Sequence, residues 1–154
     1  MKSRLSPGRA LLYGALTVGI LDLLDAFVFF GLRGVAPILI PQSIASGLLG
    51  RAAYEGGAAT AALGVLLHFF IALVIVFTYH AASRRLPLLA RRPLLYGPLY
   101  GLLVYAVMNL IVLPLSAAVV GPKSWPEVVN GVLIHILGVG LPSALSARAA
   151  AASR

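Results

Sequence analysis

Four runs of apolar residues, at approximately 11–32, 61–83, 94–119 and 128–147, constrain this chain more than any other feature. Each has roughly the 20 residues that a helix needs to cross a hydrocarbon core of about 30 Å. Backbone in lipid has no water to bond, so only helices and closed barrels span a bilayer. The alternating segments of about ten residues that mark a barrel are missing from the sequence. With 60% hydrophobic and 10% charged residues, the composition lies far from that of a soluble domain. The predicted fold is an all-α integral membrane protein, with a single four-helix transmembrane domain over residues 1–154.

A formal net charge of +8 raises nucleic acid as a partner, and the placement of the cations answers it. Lys2, Arg4 and Arg9 precede the first run, Arg84, Arg85, Arg91 and Arg92 separate the second from the third, and Arg148 and Arg154 follow the fourth. Only Arg33, Arg51 and Lys123 lie in the other two connections. A nine-to-three bias of this kind is the positive-inside pattern, which predicts a multi-pass cell-membrane protein with cytoplasmic N- and C-termini. The lipid bilayer is the expected partner and nucleic acid is not, because no basic surface is interleaved with aromatics. The length of the first run and its two aspartates argue against a cleaved signal peptide. There is no cysteine, so thiolate metal sites and cysteine nucleophiles are excluded.

A weak internal repeat organises the spans. "LYGALTVGILDLLD" from Leu12 resembles "LYGPLYGLLVYAVMN" from Leu95, and "GVLLHFF" from Gly64 resembles "GVLIHIL" from Gly131. The predicted arrangement is therefore two tandem helical hairpins of the same sense, a plan that places a site between the halves in transporters built from parallel repeats.

Inside this apolar frame the stretch "LDLLDAFVFF" carries two carboxylates, Asp22 and Asp25. At a rise of about 1.5 Å per residue from the predicted cytoplasmic ends, Asp22 lies roughly 16 Å deep and Asp25 roughly 21 Å. The same counting puts Tyr105 at about 16 Å, Asn109 and His68 at about 22 Å, and His135 at about 18 Å. All six fall in one layer, and the i,i+3 and i,i+4 spacings give the acidic pair and the Tyr105/Asn109 pair one helix face each. A carboxylate at the bilayer centre costs about 2.5–3.5 kcal/mol on insertion scales, so the aspartates are expected to face inward. Their candidate partners are His68, His135, Tyr105 and Asn109, with at least one direct aspartate–histidine contact. Hydrogen bonds that merely fix helix register are the plainer account of such a layer. His80, one turn from Arg84, reads as an interfacial side chain.

The connection 31–60 is too long and too apolar for a turn. It predicts a short interfacial or re-entrant helix over 43–54, capped by Ser43 and stopped by Gly56 and Gly57. Arg51 and Glu55 pair at i,i+4 on that helix, or Arg51 dips into the aspartate layer as a counter-ion or gate. Trp125 is an interfacial anchor.

"LHFFIALVIVFTYHAASRRLP", "VYAVMNLIVLPLSA" and "EVVNGVLIHILGVGLPSALSAR" resemble the YagU-like group of small bacterial inner-membrane proteins, over roughly 64–148. The resemblance implies a bacterial inner membrane and no known reaction, and it assigns no site residue. No catalytic signature of the HExxH, GxSxG or P-loop type occurs, and the chain reads as a non-enzyme. Three functions fit. A solute or proton/cation transport or channel role uses the buried acids and histidines, and because four helices enclose little volume it predicts a homo-oligomer or motion between hairpins. Haem or a divalent metal ligated by His68 and His135 is the alternative, with the neighbouring glycines making room for a porphyrin and Arg33, Arg51 or Lys123 meeting propionates. A structural or assembly role needs no chemistry. The charge bias makes a direct prediction: alkaline phosphatase fused after Arg154 or within 84–92 is inactive, and activity at either point inverts the topology.

Overall fold

The computed structural model describes residues 6–152, in which every regular element is a helix. Lys2, Arg4 and Arg154 lie outside the described residues. Four helices are long and apolar enough to cross a membrane: α1 (Pro7–Gly31), α3 (Gly57–Arg85), α5 (Pro93–Leu115) and α6 (Trp125–Ala151). Two short helices join them, α2 (Leu39–Leu49) between α1 and α3 and α4 (Pro87–Arg91) between α3 and α5. The large exposed side chains include Leu24, Phe70, Leu110 and Leu137, so these helices are apolar on their outer surface too. That is the pattern of helices solvated by lipid.

Local sequence explains the ends. Pro7 occupies the first turn of α1, where its missing N–H costs nothing, behind the Ser6 cap. Ser124 and Glu127 form a capping box at the start of α6. The short helix of the first connection begins at Leu39, four residues earlier than expected, and continues as a 3₁₀ turn, Gly50–Tyr54. Ser43 is not its cap; its hydroxyl donates to the Ile40 carbonyl at 2.7 Å, inside the helix.

Facing residues give the helix directions. Gly14 of α1 packs on Val76 of α3 and Ser146 of α6, whereas Gly19, further along α1, packs on Phe69 of α3. Gly97 meets Leu141 and Ala144, and Gly101 meets His135 and Ile136. Helix α1 thus runs antiparallel to α3 and α6, and α5 antiparallel to α6. Where the four long helices meet they bury Ala15, Val18, Ala72, Val76, Val104 and Val139. A second cluster of Tyr79, Ala144 and Ala147 lies nearer the α3–α4–α5 connection. His80 belongs here and is not interfacial: it is 8% exposed, and its Nε2 lies 2.9 Å from Ser146 Oγ. Ser146 Oγ donates to Ser143 O, so it accepts the imidazole N–H.

Two turns in the long helices are π-helical, Met108–Val112 in α5 and His135–Gly140 in α6. Each is followed within two residues by a proline, Pro114 and Pro142. A proline inside a helix has no N–H to donate and clashes with the carbonyl four residues back. Those positions are Leu110 and Gly138, each inside its π turn, where the widened backbone relieves the clash.

Helix α2 is held against α3 by a contact only glycine permits: a Cβ on Gly64 would overlap the Pro41 carbonyl. Gly64→Ala is expected to cost roughly 1–3 kcal/mol by overpacking. Gly8, with nothing within 4 Å of its Cβ position, is the control. Thermal unfolding in detergent should show a lowered midpoint for Gly64→Ala and none for Gly8→Ala.

Candidate functional site

All six polar residues of the predicted layer line one partly open cavity of about 640 Å³: Asp22, Asp25, His68, Tyr105, Asn109 and His135. The cavity is formed within a single copy of the chain. The floor is the apolar cluster, since Val18, Ala72 and Val139 line the cavity as well as the core. The lining extends to Leu39 and Ser43 of α2 and to residues 119–123 of the α5–α6 connection. Its outer reach is therefore at the end of the bundle opposite the four-arginine segment.

The partners differ from those expected. Asp25 contacts no histidine; its Oδ2 accepts a 2.7 Å hydrogen bond from Asn130 Nδ2. Asn130 was within reach of depth counting, about 26 Å from the predicted cytoplasmic end against about 21 Å for Asp25. Asp22 is nearest to His68, with Oδ2 3.9 Å from Nδ1, an ion-pair distance rather than a direct hydrogen bond. It is also within electrostatic reach of His135.

Each histidine is oriented by a backbone carbonyl. His68 Nε2 is 2.8 Å from Gly19 O on α1, and His135 Nδ1 is 2.8 Å from Gly131 O one turn back. Tyr105 stacks edge-on against His135, ring centroids 5.3 Å apart. Asn109, the second residue of the α5 π turn, donates from Nδ2 to Tyr105 O at 2.8 Å. Its Oδ1 accepts from Lys123 Nζ, so Asn109 serves a lysine and its own helix and not an aspartate. Lys123 is thus the cation of the site, with its ammonium 5.9 Å from the Tyr105 ring centroid. Removal from water lowers the Lys123 pKa, and Glu127 opposes the shift.

Arg51 is exposed on its 3₁₀ turn and does not line the cavity, whereas Lys123 does. Nor does it pair with Glu55: among the described residues no arginine lies within ion-pair distance of a carboxylate. Arg33 is occupied at its own helix end, donating to Phe29 O at 2.9 Å and lying over the Phe29 ring.

The space beside the glycines near the histidines is filled by the chain itself. The space at Gly64 is taken by Pro41, that at Gly131 by the Tyr105 ring 2.8 Å from a Cβ, and that at Gly138 by Ile134 and Leu21. Among the described residues no three histidine, aspartate or glutamate side chains group closely enough to hold a metal ion. What converges is a set of hydrogen-bonding and ionisable groups around an open volume, on a protein of four membrane-length helices. No family model, curated protein or solved structure matches the chain.

The Asp25–Asn130 bond ties α1 to α6 and supplies a quantitative check. Asn130→Leu leaves the carboxylate without its donor and is expected to cost about 1–3 kcal/mol, whereas adding Asp25→Leu should recover much of that loss. Equal stability of Asn130→Leu and the unaltered chain in detergent unfolding would remove this bond from the account.

Proposed function

We propose that this chain is a multi-pass membrane transport protein whose cavity admits protons or a small cationic solute. The observation that carries the reading is the cavity: polar side chains from all four long helices line it, and an apolar cluster closes one end. Ionisable groups are expensive at membrane depth, and grouped around an accessible volume they mark a pathway more readily than a fastening. A site open at one end and sealed at the other is one half of an alternating-access cycle, and the seal is built from Val18, Val76, Val104 and Val139, with Tyr100 packed against them and donating to Ile75 O at 2.7 Å.

The two-hairpin plan belongs to this reading. His68 faces Asp22 in the first hairpin, and His135 faces Tyr105 at the matching repeat positions in the second. The site then lies between duplicated halves, with α2 as a re-entrant wedge at the outer side. The charge bias assigns the sealed end to the cytoplasm and the open end to the far side, in a bacterial inner membrane by the YagU-like resemblance.

Vesicles containing a pH dye and the purified protein test it. Under an inside-negative potassium diffusion potential they are expected to acidify faster than protein-free vesicles. Asp22→Asn should slow this at least about tenfold, because an amide cannot carry the charge or proton. Arg51→Ala, outside the cavity, should leave the rate unchanged. Equal acidification with and without protein would remove protons as the solute, and equal uptake of a labelled organic ammonium as well would overturn the reading.

A further inference from the structure

The hydrogen bonds that orient the two histidines also decide which face each shows to the cavity. A carbonyl oxygen only accepts, so the nitrogen bonded to it must carry the hydrogen. His68 therefore carries a hydrogen on Nε2, toward Gly19 O, and turns Nδ1 toward Asp22, where the neutral imidazole presents a lone pair. His135 holds its proton on Nδ1, toward Gly131 O, and leaves the Nε2 lone pair free. No donor among the described residues bonds Asp22, His68 Nδ1 or His135 Nε2. Fully buried side-chain polar atoms without a hydrogen-bond partner are absent among the described residues. The unserved acceptors are those that face the open volume.

Three acceptors without donors, one of them a carboxylate, describe the complement of a cation rich in N–H groups. The 3.9 Å between His68 Nδ1 and Asp22 Oδ2 lets one donor atom about 2.8 Å from each bridge the two. The charge of the lining agrees: Asp22, Asp25 and Glu127 face one lysine, in a chain that is strongly basic overall. That lysine is already committed to Asn109. The cavity's volume of about 640 Å³ falls within the roughly 300–1,000 Å³ of small-molecule sites and far exceeds a bare ion. Phe30, Tyr54, Ile71 and Ile75 supply an apolar and aromatic wall for the rest of such a ligand.

From these observations we infer that the cavity binds an amphipathic organic cation with a primary ammonium head, seated on Asp22, His68 Nδ1 and His135 Nε2 with its apolar body against the aromatic wall. The inference deepens the transport reading and names its solute class.

Calorimetry on the purified full chain in detergent near neutral pH tests it with four probes: 2-phenylethylammonium, the neutral isostere 2-phenylethanol, tetraphenylphosphonium and zinc chloride. The ammonium is expected to bind at least about tenfold tighter than the alcohol, from the charge and donors, and tighter than the phosphonium, which has charge without donors. Asp22→Asn should erase the ammonium's advantage over the alcohol. The comparison on the unaltered chain stands without any variant, so a poorly folded Asp22→Asn does not spoil it. Ammonium and alcohol bound alike, phosphonium bound as tightly as ammonium, no binding of the ammonium, or stoichiometric zinc lost in Asp22→Asn would each overturn the inference. Vesicle acidification without ammonium preference overturns the inference and leaves proton transport standing; ammonium preference with neither acidification nor vesicle uptake of labelled 2-phenylethylammonium leaves the binding site standing and overturns transport.

Discussion

A carboxylate on a helix surrounded by hydrocarbon has one tolerable direction, and Asp22 and Asp25 impose it on α1. Their helix face must turn toward the bundle, which fixes the rotation of α1 and brings Gly14 and Gly19 against α6 and α3. The acids then require company. Asn130 meets Asp25 from α6, and His68 meets Asp22 from α3, so the two strongest polar constraints in the membrane layer bind α1 to both of its neighbours. The apolar packing agrees with them, since Gly14 and Gly19 admit Ser146 and Phe69 only on that same side of α1.

Prolines and histidines act together on the opposite side of the cavity. Pro114 and Pro142 force the backbone of α5 and α6 to widen, and the residues brought to the widened turns include Asn109 and His135. Both fold back onto carbonyls four residues earlier, Tyr105 O and Gly131 O. That bond anchors each polar side chain, leaving one hydrogen-bonding end of each turned away from its own helix. The deformation demanded by proline thereby becomes the device that positions a site residue.

The all-helical class, the four membrane-length spans and the gathering of six polar residues round one cavity were legible because they depend on length, hydropathy and helical rise, which need no partner to be known. The pairing inside the layer was not. Depth counting resolves a turn of helix, about 5 Å, whereas the choice between Asn130 and a histidine for Asp25 turns on azimuth. His80 was misjudged because proximity to Arg84 suggested a boundary, while the small Gly14 opposite Ser146 lets α1 close over it. The glycines were legible as small and misread in purpose: Gly64 and Gly131 admit Pro41 and Tyr105, groups of the chain itself. The π turns carried a readable signal, the prolines two residues beyond each, Pro114 and Pro142.

The cavity itself follows from an uneven distribution of side-chain size along the bundle. Toward the arginine-rich end the contacts are made by Gly14, Gly97, Ala144 and Ala147, and the helices close upon one another around Tyr79. Toward the other end α2 is inserted beside α3, with Gln42 Nε2 donating to Gly57 O at 3.0 Å and Thr60 Oγ1 at 3.2 Å. The α5–α6 connection joins the same wedge, with Ala117 N–H donating to Gly47 O and Val119 N–H to Ser46 Oγ. The helices are thus drawn together at one end, while at the other α2 packs on α3 and ties to the α5–α6 connection across the cavity mouth. Polar side chains of the middle layer line the space between, because there alone they escape both lipid and the close-packed seal. An accessible polar chamber in so small a protein is thus a consequence of where its glycines and alanines are placed.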